Sequence, residues 1–300
     1  MDITKPIARG LFELSCLVGR PIGGLRPHRF VHLLAQHGFG DTAPSPEQFR
    51  WVRDNFGSEF LVHPYYLIDR YILAFGSYES ALHRYIGANV CRGATCLDVG
   101  ANTGAISLHL GRKVGPEGKV HCFEPVPHIL ERLRRNIEKN FLADVIQAHG
   151  VALSDRAGKQ EMALATKSHT NQGMSSLVEF GHGDLTERAT ITTTTLDSFV
   201  AEHEITSVDF IKIDIQGAEP FFLKGAHNTL QSFGPQLIME MAPGSLADAG
   251  YTNRDLVEML HSLNYEIFEL SDSGKRGAVV DSQRCDDSTF SANVLCQRKD

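Results

Sequence analysis

The sequence lacks the features that mark secreted, membrane-spanning and nucleic-acid-binding proteins. Its six cysteines form no Cys-x-x-Cys pair and no regular framework, a pattern typical of reduced thiols in the cytoplasm. No apolar run approaches the roughly 18 residues of a membrane span. The formal net charge is −7 and no basic cluster is longer than residues 132–135, which disfavours nucleic acid as a partner. We therefore expect a cytoplasmic protein without a membrane span or a nucleic-acid partner.

A processed leader is not expected either. Leu11 begins a short apolar stretch after Lys5 and Arg9, but Glu13 interrupts this stretch and no small-residue cleavage site follows. The composition that is present, with 42% hydrophobic and 22% charged residues in a chain of 300, is typical of a globular protein. This length suits one large α/β domain with a smaller appendage.

Two regions of the sequence differ in character. Residues 1–90 are rich in aromatic residues and histidine, and they predict a helical N-terminal extension or cap with helices from Ser45 through Arg53 and over residues 65–75. This segment either covers the mouth of a site or serves as a structural extension, including a homodimer contact. Residues 91–300 alternate strand and helix, which predicts a mostly parallel, Rossmann-like α/β sheet with an antiparallel C-terminal edge.

The elements of this second region follow from its apolar runs and turn residues. The predicted strands are residues 95–99, 119–123, 144–149, 208–213, 236–240, 265–270 and 290–296. The predicted helices include residues 105–113, 127–140 and 253–263. Residues 158–195 break the alternation and predict an antiparallel excursion, in which residues 169–176 form a lid or binding loop.

The most informative segment is residues 95–104, a strand that runs into a loop bracketed by Gly100 and Gly104. Glycines let the backbone approach a ligand where a Cβ would block it, and Asp98 and Asn102 add polar groups. The helix that follows directs its first N–H groups to the same place. A plain glycine turn after a buried strand is the alternative interpretation, in which Asp98 caps the helix or orients the loop.

Two further strands end in charged residues. Glu124 follows the second strand, where doubly wound folds usually place an acceptor for ribose hydroxyls; a solvent-exposed strand end is the alternative. Lys212, Asp214 and Glu219 lie at the end of a later strand. Because the carboxyl ends of parallel strands share one edge of a sheet, these residues predict a ligand site.

The spacing of the two glycines narrows the choice of ligand. The loop lacks the middle glycine that the pyrophosphate of a dinucleotide requires, so a nucleoside without a diphosphate fits better. S-adenosylmethionine is such a ligand. Glu124 would bind its ribose, and the glycine loop would hold its amino-acid end. Val126, Ala152 and Leu153 would enclose its adenine.

Five motifs in order resemble those of the FkbM-type S-adenosylmethionine-dependent methyltransferases. They are D-V-G-A-N-T-G, F-E-P-V-P, A-L-S-D-R-A-G, T-T-L-D-S-F, and D-F-I-K-I-D-I-Q-G-A-E followed by L-K-G-A, within residues 95–242. The resemblance implies the class I methyltransferase fold and O-methylation of a hydroxyl on a sugar, glycoside or other small-molecule natural product. It does not extend to residues 1–90. Gln216 departs from the pattern, because an acid or a similar residue is common at its position, before Gly-Ala-Glu.

The same resemblance implies roles for individual residues. Asp98, Gly100, Asn102 and Gly104 form the loop around the methionine moiety, and Glu124 accepts the ribose hydroxyls. The segment at the adenine edge consists of Ala152, Leu153, Ser154 and Asp155. A simple turn before Gly158 is the alternative for the last two of these residues.

Methyl transfer to a hydroxyl requires a base, because the hydroxyl must lose its proton. Asp214 is the first candidate, with Lys212 as its orienting partner; a purely structural Lys212–Asp214 ion pair is the alternative. Glu219 is a further catalytic candidate, or a charge at the start of the next helix. Asp214, Glu219 and Glu240 could also supply oxygen ligands to Mg²⁺, although sequence spacing does not show that they converge. Histidines in loop-like segments are weaker candidates for the base: His63, His169 and His182.

The sequence therefore predicts a class I, S-adenosylmethionine-dependent O-methyltransferase that acts on a small polar acceptor. Two other functions remain open at this point. One is a nicotinamide-dependent oxidoreductase, which the missing glycine disfavours. The other is a cofactor-binding module without catalytic activity, which would have lost its base.

Overall fold

The computed structural model describes residues 7–8, 10–11, 46–165, 171, 173, 175–177, 187–285 and 290–299. These residues divide into two compact units. The first comprises the described residues up to Glu79 together with Ala165 and Asn171, and the second comprises the remainder from Ser80 onward. Most of the predicted lid at residues 169–176 lies outside the described residues, as do His169 and His182.

The first unit contains a hairpin where a helix was predicted. After a 3₁₀ turn at Pro46–Gln48, strand β1 (Arg50–Arg53) pairs antiparallel with β2 (Glu59–Val62). The prediction of a helix through Arg53 is therefore wrong. The reason is local turn chemistry: the Asp54 carboxylate accepts the N–H groups of Phe56 at 2.9 Å and Ser58 at 2.7 Å, and this turn reverses the chain.

Helix α1 (Leu67–Phe75) confirms the second helix predicted in this unit. It ends at Gly76, whose φ of 73° lies in the left-handed region that favours glycine at a helix end. Arg70 lies on this helix, and its buried guanidinium donates to the carbonyls of Pro64 and Tyr65, each at 2.8 Å. Burial lowers the pKa of Arg70 to about 10, although the neighbouring Tyr65 and Asp69 raise it.

The second unit is built on a large sheet whose elements follow the predicted order. Its strands are β3 (Thr95–Val99), β4 (Lys119–Phe123), β5 (Ile146–His149), β9 (Phe210–Ile213), β10 (Gln236–Met241), β11 (Tyr265–Leu270), β12 (Arg276–Val279) and β13 (Ala292–Arg298). Its helices are α2 (Ser80–Asn89), α3 (Ala105–Val114), α4 (Pro127–Lys139), α5 (Leu196–Glu202), α6 (Glu219–Gly225), α7 (His227–Phe233), α8 (Pro243–Asp248), α9 (Asn253–Ser262) and α10 (Ser282–Cys285).

The strand order across this sheet is β12-β11-β13-β10-β9-β3-β4-β5. Strands β10, β9, β3, β4 and β5 are parallel, whereas β13 runs antiparallel to both of its neighbours and β12 runs antiparallel to β11. The sheet is therefore mostly parallel with an antiparallel edge, as predicted. This is the architecture of the class I methyltransferase fold.

A smaller sheet interrupts the alternation of strands and helices. It has the order β6-β8-β7, formed by β6 (Ala152–Leu153), β7 (Gly158–Leu164) and β8 (Glu187–Thr194). Strands β7 and β8 pair antiparallel, which confirms the predicted excursion. Strand β8 is rich in threonine, a β-branched residue that is favoured in strands.

The two faces of the large sheet differ in polarity along β3 and β9. Leu97 and Val99 lie in the main apolar core with Ile211 and Ile213, all at most 1% exposed. Asp98 and Lys212 alternate with these residues and are direct partners in the β3–β9 register. Lys212 therefore lies within β9, one residue before the strand ends, and its charge is buried on the opposite face.

No described helix is long and apolar enough to cross a membrane.

Candidate active site

The loop between β3 and α3 packs tightly against the rest of the second unit. A Cβ on Gly100, where φ is 82°, would lie 1.9 Å from the carbonyl oxygen of Asp214. A Cβ on Gly104, where φ is 93°, would lie 2.7 Å from the Cδ1 atom of Leu133. Protein atoms thus occupy the space that both glycines leave open. The glycines let the loop lie directly on the end of β9 and on α4.

Glu124 joins this loop to the end of β4. One carboxylate oxygen accepts the N–H of Asn102 at 3.0 Å, and the other accepts the N–H of Val126 at 2.9 Å. The side chain is 5% exposed, so it is not a solvent-exposed strand end. Burial raises the pKa of Glu124 to about 7, although the two backbone hydrogen bonds lower it.

Thr103 is a site residue that the sequence analysis missed. It lies between the two loop glycines and is 2% exposed, and its hydroxyl oxygen has no hydrogen-bond partner within the described part of the chain. Its backbone is held on both sides, because its N–H donates to the Asn102 side chain and its carbonyl accepts from the Asn136 amide, each at 2.8 Å. A buried hydroxyl in this state is suited to a ligand. The available sequence signal was a hydroxyl residue inside a glycine loop.

Asp98, in β3, binds the helix that follows the glycine loop. Its carboxylate accepts a hydrogen bond of 2.5 Å from the Ser107 hydroxyl on α3, and its side chain is 1% exposed. Burial raises the pKa of Asp98, although the charge of Lys212 and the Ser107 hydrogen bond lower it. These contacts hold α3 to β3, and they favour an orienting role for Asp98.

The predicted adenine segment divides between two clusters. Val126 and Ala152 lie together in a small apolar cluster with Met162 and Ile191. Leu153 instead packs in the main core. The structure thus brings Val126 and Ala152, two of the three predicted adenine contacts, into one apolar cluster. Leu153, the third, packs in a different cluster.

Ser154 and Asp155 form a short connection after β6. The Ser154 hydroxyl donates to the Asp155 carboxylate at 3.3 Å, and the Ser154 N–H donates to the carbonyl of Thr194 at 2.9 Å. A Cβ on Gly225 would lie 2.0 Å from the Ser154 carbonyl oxygen. Ser154 is therefore enclosed by backbone, whereas Asp155 is partly exposed.

Asp214 lies immediately after β9 and is held by two donors. The Lys212 ammonium donates to Oδ2 and the Gln216 amide donates to Oδ1, each at 2.8 Å. The Lys212 side chain is 4% exposed and that of Asp214 is 20% exposed, so Asp214 is the less buried of the two. Burial alone would raise the pKa of Asp214, but the Lys212 charge and the two hydrogen bonds lower it below its usual value.

Glu219 and Glu240 reach this site differently. The buried Glu219 carboxylate accepts the N–H of Ile215 at 3.1 Å, so it fixes the loop after β9, and burial raises its pKa to about 7. Glu240 accepts from the Gln216 amide at 3.3 Å. Among the described residues, no three His, Cys, Asp or Glu side chains come together as a metal site, so the predicted Mg²⁺ ligation by Asp214, Glu219 and Glu240 is not supported.

The histidines have other surroundings than predicted. Both ring nitrogens of His63 are hydrogen-bonded, to Gln48 and to the Tyr65 N–H, each at 3.0 Å. A cluster of His121, His149 and His203 was not predicted. His149 stacks on His121 and on Phe123, and His203, directly after α5, stacks on Phe199 of that helix. Burial, followed by the neighbouring imidazoles, lowers the pKa of His121 and of His149 to about 4.

Comparison with known proteins identifies the family. The model of the methyltransferase FkbM domain matches residues 98–267. The 2-O-methyltransferase NoeI of Sinorhizobium fredii is 27% identical over 144 residues, which are 45% of this chain and 58% of that protein. The methyltransferase sdnD of Sordaria araneosa is 26% identical over 213 residues, which are 59% of this chain and 81% of that protein. The chain thus spans less than two thirds of the length of NoeI.

Solved structures of methyltransferases also resemble this chain, at low sequence identity. The FkbM methyltransferase of Methylobacillus flagellatus is 18% identical, with a TM-score of 0.44, and the similarity covers 77% of this chain and 52% of that chain. An O-methyltransferase from Bacillus cereus in complex with SAH is 16% identical, with a TM-score of 0.43, and the similarity covers 74% and 80%. Because the family model matches more than half of its 300 residues, the chain belongs to the FkbM family of S-adenosylmethionine-dependent methyltransferases.

Proposed function

We propose that the protein transfers a methyl group from S-adenosylmethionine to a hydroxyl of a small polar acceptor, such as a sugar or another natural product. The close approach of Gly100 to the Asp214 carbonyl oxygen supports this proposal, because the candidate base then belongs to a residue whose backbone touches the glycine loop. The similarity to NoeI, a 2-O-methyltransferase, supports a hydroxyl acceptor.

The residues around the loop fit the cofactor chemically. Each Glu124 oxygen accepts one backbone N–H and retains a lone pair for a ribose hydroxyl. The Thr103 hydroxyl supplies a polar group that has no partner in the described chain. The first turn of α3 directs backbone N–H groups toward the same loop. Ala152 packs in an apolar cluster with the fully buried Val126, and we assign the adenine to this cluster. When bound, the cofactor supplies an electrophilic methyl group.

Asp214 acts as the base in this proposal. Its lowered pKa keeps the carboxylate ionised at neutral pH, so that it can accept the proton of the acceptor hydroxyl while the acceptor oxygen takes up the methyl group. A carboxylate with a low pKa is a weak base. Its contribution therefore depends on position, which Lys212 and the end of β9 fix.

Isothermal titration with S-adenosylmethionine tests cofactor binding. We expect heat of binding for the wild type, loss of most of it for Glu124→Ala, and no change for Glu138→Ala, an exposed glutamate on α4 that serves as the control. No binding by the wild type, or equal binding by Glu124→Ala, would contradict the proposal.

Methyl transfer is tested by mass spectrometry of glycosides and hydroxylated metabolites incubated with the protein and cofactor. We expect a singly methylated product with the wild type, and its loss in Asp214→Asn with cofactor binding retained. Intact turnover in Asp214→Asn would show that another group is the base, while methyl transfer itself would stand.

A further inference from the structure

We propose that Gln216 is a positioning residue that fixes the Asp214 carboxylate and keeps it ionised. This inference rests on the proposed role of Asp214 as the base. Gln216 has no part in a predicted catalytic or cofactor contact, and its amide is placed between two carboxylates.

The Gln216 amide nitrogen serves both carboxylates at once. It lies 2.8 Å from Oδ1 of Asp214 and 3.3 Å from Oε2 of Glu240. A side-chain amide nitrogen carries two hydrogens, so one hydrogen is available for each oxygen. Two carboxylates within reach of one atom would otherwise repel each other, and one of them would tend to take up a proton.

The two oxygens of Asp214 have separate donors. Lys212 holds Oδ2 and Gln216 holds Oδ1. Donors on both oxygens fix the rotation of the carboxylate plane, which a single ion pair would leave free. Each oxygen retains a further lone pair, and the Asp214 side chain is 20% exposed. The carboxylate is therefore oriented before an acceptor arrives.

The backbone of Gln216 is itself fixed. Its φ of 52° is uncommon for a residue with a side chain, and Gly217 follows with a φ of 92°. A Cβ on Gly217 would lie 2.3 Å from the carbonyl oxygen of Ser245, so the chain passes close to α8 there. The Ser176 hydroxyl donates to the Gln216 carbonyl at 2.8 Å. The amide thus starts from a backbone position that its neighbours determine.

The charges that act on Asp214 set the expected direction of change. Burial disfavours the ionised form of Asp214, whereas the charge of Lys212 favours it. The Asp214 carboxylate in turn raises the pKa of the buried Asp98 and of Glu219. Gln216 adds a hydrogen bond that lowers the pKa of Asp214. Without this donor, less of the effect of burial is offset, and the pKa of Asp214 rises.

The test is the titration of Asp214 by carbon NMR in the full-length chain labelled with ¹³C-carboxyl aspartate, in the absence of acceptor and cofactor. The Asp214 signal is assigned from its disappearance in Asp214→Asn. Gln216→Asn is the main variant, because asparagine tolerates a positive φ while its amide is one methylene shorter. Gln216→Leu removes both donors, and Gln231→Leu on the exposed face of α7 is the control.

We expect the Asp214 midpoint to rise by about one pH unit or more in Gln216→Asn and Gln216→Leu and to stay unchanged in Gln231→Leu. Equal midpoints in the wild type and Gln216→Asn would overturn the positioning role, and so would a rise in Gln231→Leu of the same size. Near-ultraviolet circular dichroism shows whether each variant is folded, and the Asn variant decides if the Leu variant is not.

This titration separates the inference from the proposed function. A shifted midpoint in a protein that methylates none of the hydroxyl compounds offered would support the Gln216 contact and remove the role assigned to Asp214. An unshifted midpoint in an active methyltransferase would do the reverse. With an acceptor in hand, the acid limb of the kcat profile should move to higher pH in Gln216→Asn, while the KM for the cofactor stays unchanged.

Discussion

At the residue scale, Gly100 joins the cofactor loop to the candidate base. Two features of this position require glycine. Its φ is positive, and a Cβ would lie only 1.9 Å from the Asp214 carbonyl oxygen. Gly93 has only the first of these features. Its φ is 77°, and apart from its two chain neighbours no atom of the described residues lies within 4 Å of the position that a Cβ would take there. The pair therefore separates backbone strain from crowding.

We expect Gly93→Ala to lower the free energy of unfolding by about 1 kcal/mol, the cost of a left-handed backbone with a side chain. Gly100→Ala should cost roughly 2–4 kcal/mol, because crowding adds to that strain. Urea unfolding followed by circular dichroism measures both. Equal losses of unfolding free energy in the two variants would mean that the loop shifts to accommodate a Cβ at Gly100 without a further cost.

The proposed ribose contact of Glu124 predicts that cofactor binding depends on pH near neutrality. The pKa of Glu124 is raised to about 7, so the carboxylate proposed to accept ribose hydroxyls is lost as the pH falls through 7. We expect the Kd for S-adenosylmethionine to increase by up to about tenfold per pH unit below this value. Calorimetry in a series of buffers measures it.

Two variants act as controls for this pH dependence. Glu124→Gln should bind weakly at every pH, with a flat profile. Glu219→Gln should keep the profile of the wild type, because Glu219 contacts Ile215 rather than the glycine loop although its pKa is also raised to about 7. A wild-type Kd that stays constant from about pH 8 to about pH 6 would remove Glu124 from ribose binding.

What the sequence could predict at this scale were residues at strand ends. Glu124 and Asp214 follow parallel strands, so the rule that carboxyl ends share an edge brought them to one site. Thr103 was missed because its lack of a partner depends on packing. The contacts among His121, His149 and His203 join two strands and a helix, and no local pattern indicates them.

At the scale of the element, helix α9 owes its start to a capping box. The Thr252 hydroxyl accepts the Asp255 N–H at 3.2 Å, and the Asp255 carboxylate accepts the Thr252 N–H at 2.8 Å. Leu256 and Leu260 are fully buried on this helix, so its start affects the packing of the core.

We expect Thr252→Ala to lower the free energy of unfolding by about 1 kcal/mol, because an N–H at the helix start loses its partner. Thr252→Ser keeps the hydroxyl and should remain close to the wild type. The midpoint of urea unfolding measures the difference. If alanine and serine gave the same midpoint, the capping box would not contribute to stability.

The strands of the parallel sheet were predictable, since continuous apolar runs between turn residues signal buried strands. The hairpin of β1 and β2 was not, because the Asp54 turn that forms it competes with a weak helical spacing. Strand β12 was missed because all four of its residues are exposed and show no alternation. The position of Lys212 within β9 depends on strand register, which brings it opposite Asp98.

At the scale of the whole molecule, buried glutamates and histidines act on stability in opposite directions. Burial raises the pKa of Glu219 from 4.5 to about 7, so the folded state holds a proton that the unfolded state has lost. Stability from this residue therefore falls as the pH rises through this window. Burial lowers the pKa of His149 from 6.5 to about 4, so its contribution rises with pH over 4 to 6.5.

The difference in free energy of unfolding between variant and wild type isolates each contribution. Glu219→Gln keeps an oxygen for the Ile215 N–H and removes the titration, so this variant should gain stability relative to the wild type as the pH rises from about 4.5 to about 7. His149→Phe keeps a ring against Phe123 and should gain relative stability as the pH falls below about 6.5.

Urea midpoints across this pH range measure both differences, and each variant is the control for the other. Opposite slopes are required, because one residue binds its proton more tightly in the folded state and the other more weakly. Slopes of the same sign would mean that a general effect of charge on the unfolded chain dominates. Opposite slopes would show that folding raises the pKa of Glu219 and lowers that of His149, and that their effects on the stability of the wild type offset each other between about pH 4.5 and about pH 6.5.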